Sequence, residues 1–371
     1  MILEGSPALT DRLLQQKSFL EAAGWADATF APIPGDASTR SYQRLQRGDE
    51  RAVLMNAPPG AESAACPPEA SAAEREALGY NAAARLAGPN LNAFTTLAGV
   101  LRAAGVHAPE ILAADPGTGF ALIEDLGDGL YARMIEAGAE ETPLYLAAID
   151  VLARLHQADL PRPAGPDYTL LDYDGTALIA ETCLLVDWYW PFLRGGETVP
   201  ADVRADYVAC WQDILAGLSP PHTLVLRDYH AENILWLDNG AADPLSRVGV
   251  IDFQDGLFGH AAYDMVSLLE DARRDVGEDT VAAALAHYAA ARRATGAFDG
   301  AQFAADYAIL AAQRNAKILG VFARLVVRDK KPRYESLMPR VRGHFRADLT
   351  RPHVAPLKAW ITTHMPELTA R

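Results

Sequence analysis

The sequence predicts an α+β chain of two unequal parts, a small β-containing N-terminal lobe followed by a larger, mostly helical one. Three observations carry that expectation. Short runs of strand character cluster in the first 125 residues. Apolar residues at helical spacing fill most of the remaining chain. A single β-rich island, about residues 223–253, interrupts those helices.

Taken in order, residues 6–24 place Leu9, Leu13, Leu14, Phe19 and Leu20 at helical spacing and stop at Gly24. Residues 41–45 and 51–55 read as two strands around a turn at Gly48-Asp49-Glu50. The stretch 57–92, rich in Pro, Gly, Ala and Glu, reads as an insertion with one helix at most. A helix is expected at about 93–104, closed by Gly105, then strands at 110–114 and 119–124. A hinge is expected near Asp125-Leu126-Gly127. Beyond it the helical segments are about 143–158, 203–218, 263–273, 280–295 and 301–328. The expected division is therefore 1–125 and 126–371.

The chemistry concentrates in the island. An apolar run, Thr223 to Leu226, ends in Arg227 and Asp228, and Asn233 lies five residues after that Asp. A second apolar run extends from Ile234 to Leu237, and a third, Val248 to Ile251, ends at Asp252. Strand ends joined by tight loops are where polar groups converge on a ligand while rigid backbone fixes them. Phosphoryl transfer needs this inventory: a carboxylate to orient and deprotonate the attacking hydroxyl, and hard oxygens for Mg²⁺. Asp228 suits the first task; the Asn233 amide oxygen and the Asp252 carboxylate suit the second. The competing reading is that an Asp and an Asn so spaced are turn residues or helix caps. The strand-borne Asp252 about twenty residues on, as kinases place their metal-binding Asp, favours catalysis.

Composition narrows the class. The chain has 371 residues, enough for one large or two modest domains. Its formal charge of −15 repels phosphate backbones and argues against nucleic acid. No run is long and apolar enough for a membrane span, and the N-terminus lacks a basic segment followed by an apolar one. A cytoplasmic protein without a membrane partner is expected. The three cysteines, Cys66, Cys183 and Cys210, show neither disulfide nor zinc spacing.

Residues 226–237 and 250–269 resemble the aminoglycoside phosphotransferase–choline kinase superfamily, whose fold is protein-kinase-like. Asp228, His230 and Asn233 occupy the Asp, His and Asn places of its catalytic loop. Ile251-Asp252-Phe253 with Gly259 and Asp264 match its metal motif. The stretches 35–40, 53–59, 123–127, 187–189 and 226–233 are similar to bacterial sugar kinases that phosphorylate the anomeric hydroxyl of N-acetylmuramate and N-acetylglucosamine. The resemblance implies ATP and Mg²⁺ as cofactors, a nucleotide-binding N-terminal lobe and an acceptor-binding C-terminal one. It implies a phosphate loop with Gly35, Ser38 and Arg40, adenine-edge backbone at Glu124 to Leu126, and loop support from His230 and Asp264.

This chain departs from the superfamily pattern in three ways. Leu226 stands where many relatives have His, Met55 closes a strand where kinases carry a lysine, and the helix at 93–104 lacks the acid that pairs with it. Arg40 or Arg44 is expected to supply the missing charge. Arg227 is left open between substrate or phosphate and a structural acid. For the acceptor, the cluster 187–192 offers Asp187 and Tyr189 beside other aromatic rings, with Glu181 upstream; the competing reading makes those rings core. The expected substrate is a small molecule, most simply an amino sugar. The alternatives are an aminoglycoside or choline-like alcohol, or a nucleotide-binding scaffold without activity.

Overall fold

The computed structural model describes residues 7–34, 40–60, 65–165, 167–241, 243–296 and 298–370. Helix α1 (Pro7–Ala22) leads into strands β1 (Thr29–Ile33), β2 (Ser41–Arg47) and β3 (Glu50–Asn56). The insertion forms two short helices, α2 (Ala72–Leu78) and α3 (Tyr80–Ala83), before α4 (Leu91–Ala103). Strands β4 (Ile111–Asp115) and β5 (Phe120–Glu124) complete an antiparallel sheet of order β1-β2-β3-β5-β4.

The helices α5 (Tyr131–Glu136), α6 (Glu141–Leu155), α7 (Gly175–Leu184), α8 (Trp190–Leu193) and α9 (Ala201–Leu215) come next. Two hairpin-like pairs succeed them, built from β6 (Thr223–Val225), β7 (Ile234–Trp236), β8 (Val248–Val250) and β9 (Leu257–Gly259). Helices α10 (Ala262–Leu269), α11 (Glu278–Thr295), α12 (Gly300–Val327), α13 (Met338–Asp348) and α14 (Ala355–His364) end the chain. Among the described residues no helix is long and apolar enough to cross a membrane.

Several elements lie outside the sequence expectations. Strand β1 is mostly exposed, so it lacks the alternation that marks a half-buried strand. Helix α13 has a strongly polar composition and buries only Met338, Val341, Phe345 and Asp348. The insertion holds two helices rather than one, the first opened by a capping box between Ser71 and Glu74.

The core explains why the pieces hold. One apolar cluster runs from Val53, Met55 and Leu97 in the small lobe through Phe253 to Leu268 and Leu310 in the helical one. The Phe94 and Phe253 rings stack across it, with centroids 5.0 Å apart. A second cluster lies between α9, α12, α13 and α14, with Trp211, Phe322, Phe345 and Ile361 at its centre. The connection between the lobes is pinned electrostatically. Arg44 on β2 pairs with Asp125 at 2.7 Å and with Asp128 at 3.0 Å, so the sheet grips the segment that leaves it.

After α7 the chain widens into one π-helical turn, Leu185–Tyr189, an irregularity found mostly as a single turn inside α-helices. Helix α12 passes against its start so closely that a Cβ on Gly320 would stand 2.2 Å from the Leu184 carbonyl carbon. Glycine is therefore required there. We expect Gly320→Ala to cost roughly 1–3 kcal/mol, read as a lowered urea midpoint with an unchanged slope.

Candidate active site

The pairing of β7 with β8 brings the candidate residues together. Ile234 lies opposite Val250, so Asn233 falls opposite Ile251 and next to Asp252. The Ile251 N–H donates to the Asn233 carbonyl at 3.0 Å. The Asn233 side-chain nitrogen donates to the Asp228 carbonyl oxygen at 2.9 Å and faces the Asp252 carboxylate at 3.4 Å. Those contacts orient the amide, and its oxygen takes no hydrogen bond among the described residues. Asp228, Asn233 and Asp252 thus form one polar cluster. Protein mass around Asp252 and the negative charge of Asp228 push the Asp252 carboxyl above its usual range.

The loop carrying Asp228 is held from several sides. Asp264, fully buried on α10, accepts the N–H groups of Leu226 at 2.7 Å and Arg227 at 2.9 Å. Tyr229 donates from its hydroxyl to the Ala148 carbonyl at 2.9 Å. His230 is buried against Arg273, and burial with that positive neighbour lowers its pKa to about 3. It is a neutral ring at working pH, suited to hydrogen bonding within the loop rather than to carrying charge. Arg227 and Asp252 both adopt left-handed backbone, φ +70° and +60°, a costly state for side-chain-bearing residues that surrounding contacts must enforce.

Three acceptor expectations change in the structure. Glu181 is fully buried: Arg227 and the Tyr173 hydroxyl donate to it, Lys317 pairs with it at 2.8 Å and Gln313 donates at 3.0 Å. With every approach occupied by protein groups, it presents no face to an acceptor. Arg227 is correspondingly committed to a structural acid, with a second bond to the Asp255 carbonyl at 3.2 Å. Tyr189 is 1 % exposed and stacks with Phe192 inside the second cluster, so it is core. Asp187 remains partly exposed, but Arg204 on α9 holds it with two bonds, at 2.8 and 3.0 Å.

Of the nucleotide-side expectations, Gly35 and Ser38 lie outside the described residues. The Arg40 guanidinium stands 4.0 Å from the Asp252 carboxylate and donates to the Gly88 carbonyl at 3.0 Å. Arg44 is taken up by Asp125 and Asp128 at the connection between the lobes. Met55, where a lysine was absent by sequence, is buried in the core. Arg40 is therefore the cation that approaches the cluster from the small lobe. Burial raises the Glu124 carboxyl, but bonds from His107 at 3.0 Å and the Glu110 N–H at 3.1 Å carry it below its usual range. That side chain is spent on structure, which leaves main chain at the Glu124–Leu126 edge. Sequence reasoning missed Gln254, whose side-chain nitrogen donates to Asp252 at 2.8 Å. Its only signal was its position two residues after the motif Asp.

Comparison with known proteins identifies the architecture. The sequence profile of the phosphotransferase enzyme family matches residues 29–300. The chain belongs to that family. An N-acetylmuramate/N-acetylglucosamine kinase from Caulobacter vibrioides is 45 % identical over 98 % of this chain and 99 % of its own. A kinase of the same name from Pseudomonas aeruginosa is 33 % identical over 91 % of this chain and 89 % of its own. Among solved structures, a putative aminoglycoside phosphotransferase from Ralstonia eutropha superposes with a TM-score of 0.58 at 16 % identity, covering 93 % of this chain and 98 % of that one. The Plasmodium vivax ethanolamine kinase gives 0.58 at 13 % identity, over 94 % and 92 %. The family thus has the two-lobe, protein-kinase-like α+β fold expected from the sequence, and this member is a small-molecule kinase that phosphorylates a hydroxyl.

The buried cluster around Glu181 has a measurable signature. Burial pushes its carboxyl up, but Lys317 and Arg227 outweigh this and hold it down at about 2. An unfolded chain titrates that group near 4.5, so its stabilisation is complete above that pH and is lost as pH falls through the folded value. We expect Glu181→Gln, which leaves two cations unbalanced, to cost roughly 3–5 kcal/mol at neutral pH. The variant should also lose stability less steeply between about pH 5 and 2, as chemical unfolding at several pH values would measure.

Proposed function

We propose that this phosphotransferase moves the γ-phosphoryl group of ATP, with Mg²⁺, to the anomeric hydroxyl of N-acetylmuramate and N-acetylglucosamine. The near-full-length similarity to the Caulobacter kinase of that name carries the choice of acceptor. The clustering of Asp228, Asn233 and Asp252 supports the chemistry.

Asp228 orients the acceptor hydroxyl and takes its proton as the oxygen bonds to the γ-phosphorus; the bond to the bridging β–γ oxygen breaks and ADP leaves. The Asp252 carboxylate and the Asn233 amide oxygen fit Mg²⁺, which takes few protein ligands and keeps waters and phosphate oxygens. When bound, the metal supplies charge neutralisation at the phosphates. Arg40 adds a fixed positive charge on the same side, in place of the absent strand lysine. The setting is the cytoplasm, where ATP is available.

A polycationic aminoglycoside needs open acids, and Glu181 and Asp187 are both neutralised by protein cations. That favours a sugar of lower charge.

Asp228→Asn should lower kcat by about 10²–10⁴-fold while calorimetry finds nucleotide binding little changed. Near-normal turnover would refute the mechanism. In a radiolabelled-ATP panel, both N-acetylated amino sugars should be labelled and kanamycin and choline not; the reverse pattern would overturn the acceptor. Arg40→Met should raise the KM for ATP roughly tenfold and leave that for the sugar nearly unchanged, in line with loss of one charge-assisted contact to phosphate. Equal ATP KM values would remove Arg40 from the phosphate site.

A further inference from the structure

Behind the Asp228, Asn233 and Asp252 cluster stands an arginine that phosphoryl transfer does not itself call for. Arg273 lies in the segment after α10, where its backbone N–H donates to the buried Asp271 carboxylate at 2.8 Å. Its side chain reaches back to the loop that carries Asp228. There its Nε stands 2.7 Å from the Glu232 carboxylate, and its Nη1 stands 3.2 Å from Nε2 of His230. His230 is 3 % exposed, so protein groups rather than water set the state of its ring.

A guanidinium has donors and no acceptor. The ring nitrogen that faces it at 3.2 Å must therefore present its lone pair, which places the imidazole proton on Nδ1. The far side of the ring does not make this choice. Its Nδ1 is buried and has no hydrogen-bond partner among the described residues, whichever form the ring takes. Arg273 thus decides the tautomer.

The choice carries on to Asn233. The Asn233 amide nitrogen stands 3.4 Å from the same Nε2, beside its bond to the Asp228 carbonyl oxygen and its approach to the Asp252 carboxylate. With the lone pair on Nε2, all three neighbours are acceptors. They draw the NH₂ end of the amide inward and leave its oxygen for the cleft, where a hard cation needs oxygen. A proton on Nε2 would set N–H against N–H and loosen the amide.

We propose that Arg273 is a positioning residue: it holds His230 in the Nδ1–H form, and the ring in turn holds the Asn233 oxygen toward the metal position. The inference rests on Asn233 as a metal ligand. It gives the ring a task of orientation and leaves proton transfer to Asp228.

Nitrogen NMR of the metal-free protein, labelled at histidine, reads the tautomer directly. His230 should show the Nδ1–H form in the wild type and lose it in Arg273→Met. Titration of Mn²⁺ onto the ADP complex, followed by EPR, should find binding about 10–100-fold weaker in Arg273→Met. Arg273→Lys keeps a donor and should stay close to the wild type. The KM for the sugar should change by less than about twofold in Arg273→Met, an outcome that a general loosening of the loop would not give. In a His230→Phe background, Arg273→Met should weaken Mn²⁺ binding no further, because its effect runs through the ring. An Nε2–H ring in the wild type overturns the inference. So does unchanged Mn²⁺ affinity in Arg273→Met while Asn233→Ala weakens it, and the metal reading then stands. Unchanged affinity in Asn233→Ala overturns that reading as well.

Discussion

A carboxylate taken out of water without compensation would either protonate or refuse to stay buried. Glu181 avoids both outcomes because Arg227 arrives from the loop that carries Asp228 and Lys317 from α12, with Tyr173 and Gln313 occupying the rest of its hydrogen-bonding capacity. Three separate pieces of chain are thereby obliged to meet at one point. The left-handed backbone of Arg227 comes from that obligation: its guanidinium must turn inward to the buried acid while the next residue, Asp228, turns out toward the cluster. Asp264 fixes the same two-residue step from the other side through its backbone bonds. A residue that looked like a substrate contact is thus an anchor on which the loop's geometry depends.

The fold was largely legible where periodicity and burial agree. Helices α11 and α12 show their spacing because one face of each is core, and β3 and β5 read as continuous apolar runs because both of their faces are buried. Strand β1 buries too little to leave a pattern, whereas α13 carries Met338, Val341 and Phe345 at helical spacing among so many polar residues that the signal is easily passed over. The cluster of Asp228, Asn233 and Asp252 was legible because a tight β7–β8 pairing turns sequence spacing directly into proximity. Glu181 and Tyr189 were misplaced because residue type alone cannot separate an acid facing solvent from one facing buried cations, or a ring lining a pocket from one filling a core. Gln254 left no signal beyond its place two residues after Asp252. Its significance is a hydrogen bond to Asp252, which does not exist before the chain folds.

Where kinases carry a strand lysine, this fold has apolar packing. Met55 turns its position over to apolar packing, and α4 correspondingly carries no acid that would need a partner. Positive charge reaches Asp252 from Arg40, just before β2, instead. Arg44, three residues into the same strand, is spent on the connection between lobes. Two arginines on one short segment thus serve different places, one beside Asp252 and one at the connection between the lobes.

The insertion begins and ends in the small lobe, yet its middle is fastened to the large one. Arg75 and Arg85 both pair with Asp174 at the start of α7, and the Ala87 N–H donates to Asp255 at 2.7 Å. It therefore works mechanically as a second strap beside the hinge. A body joined at two separated points cannot swing open about one of them without slack in the other. Wide opening of the cleft would have to break these ion pairs, so the insertion biases the two lobes toward staying together.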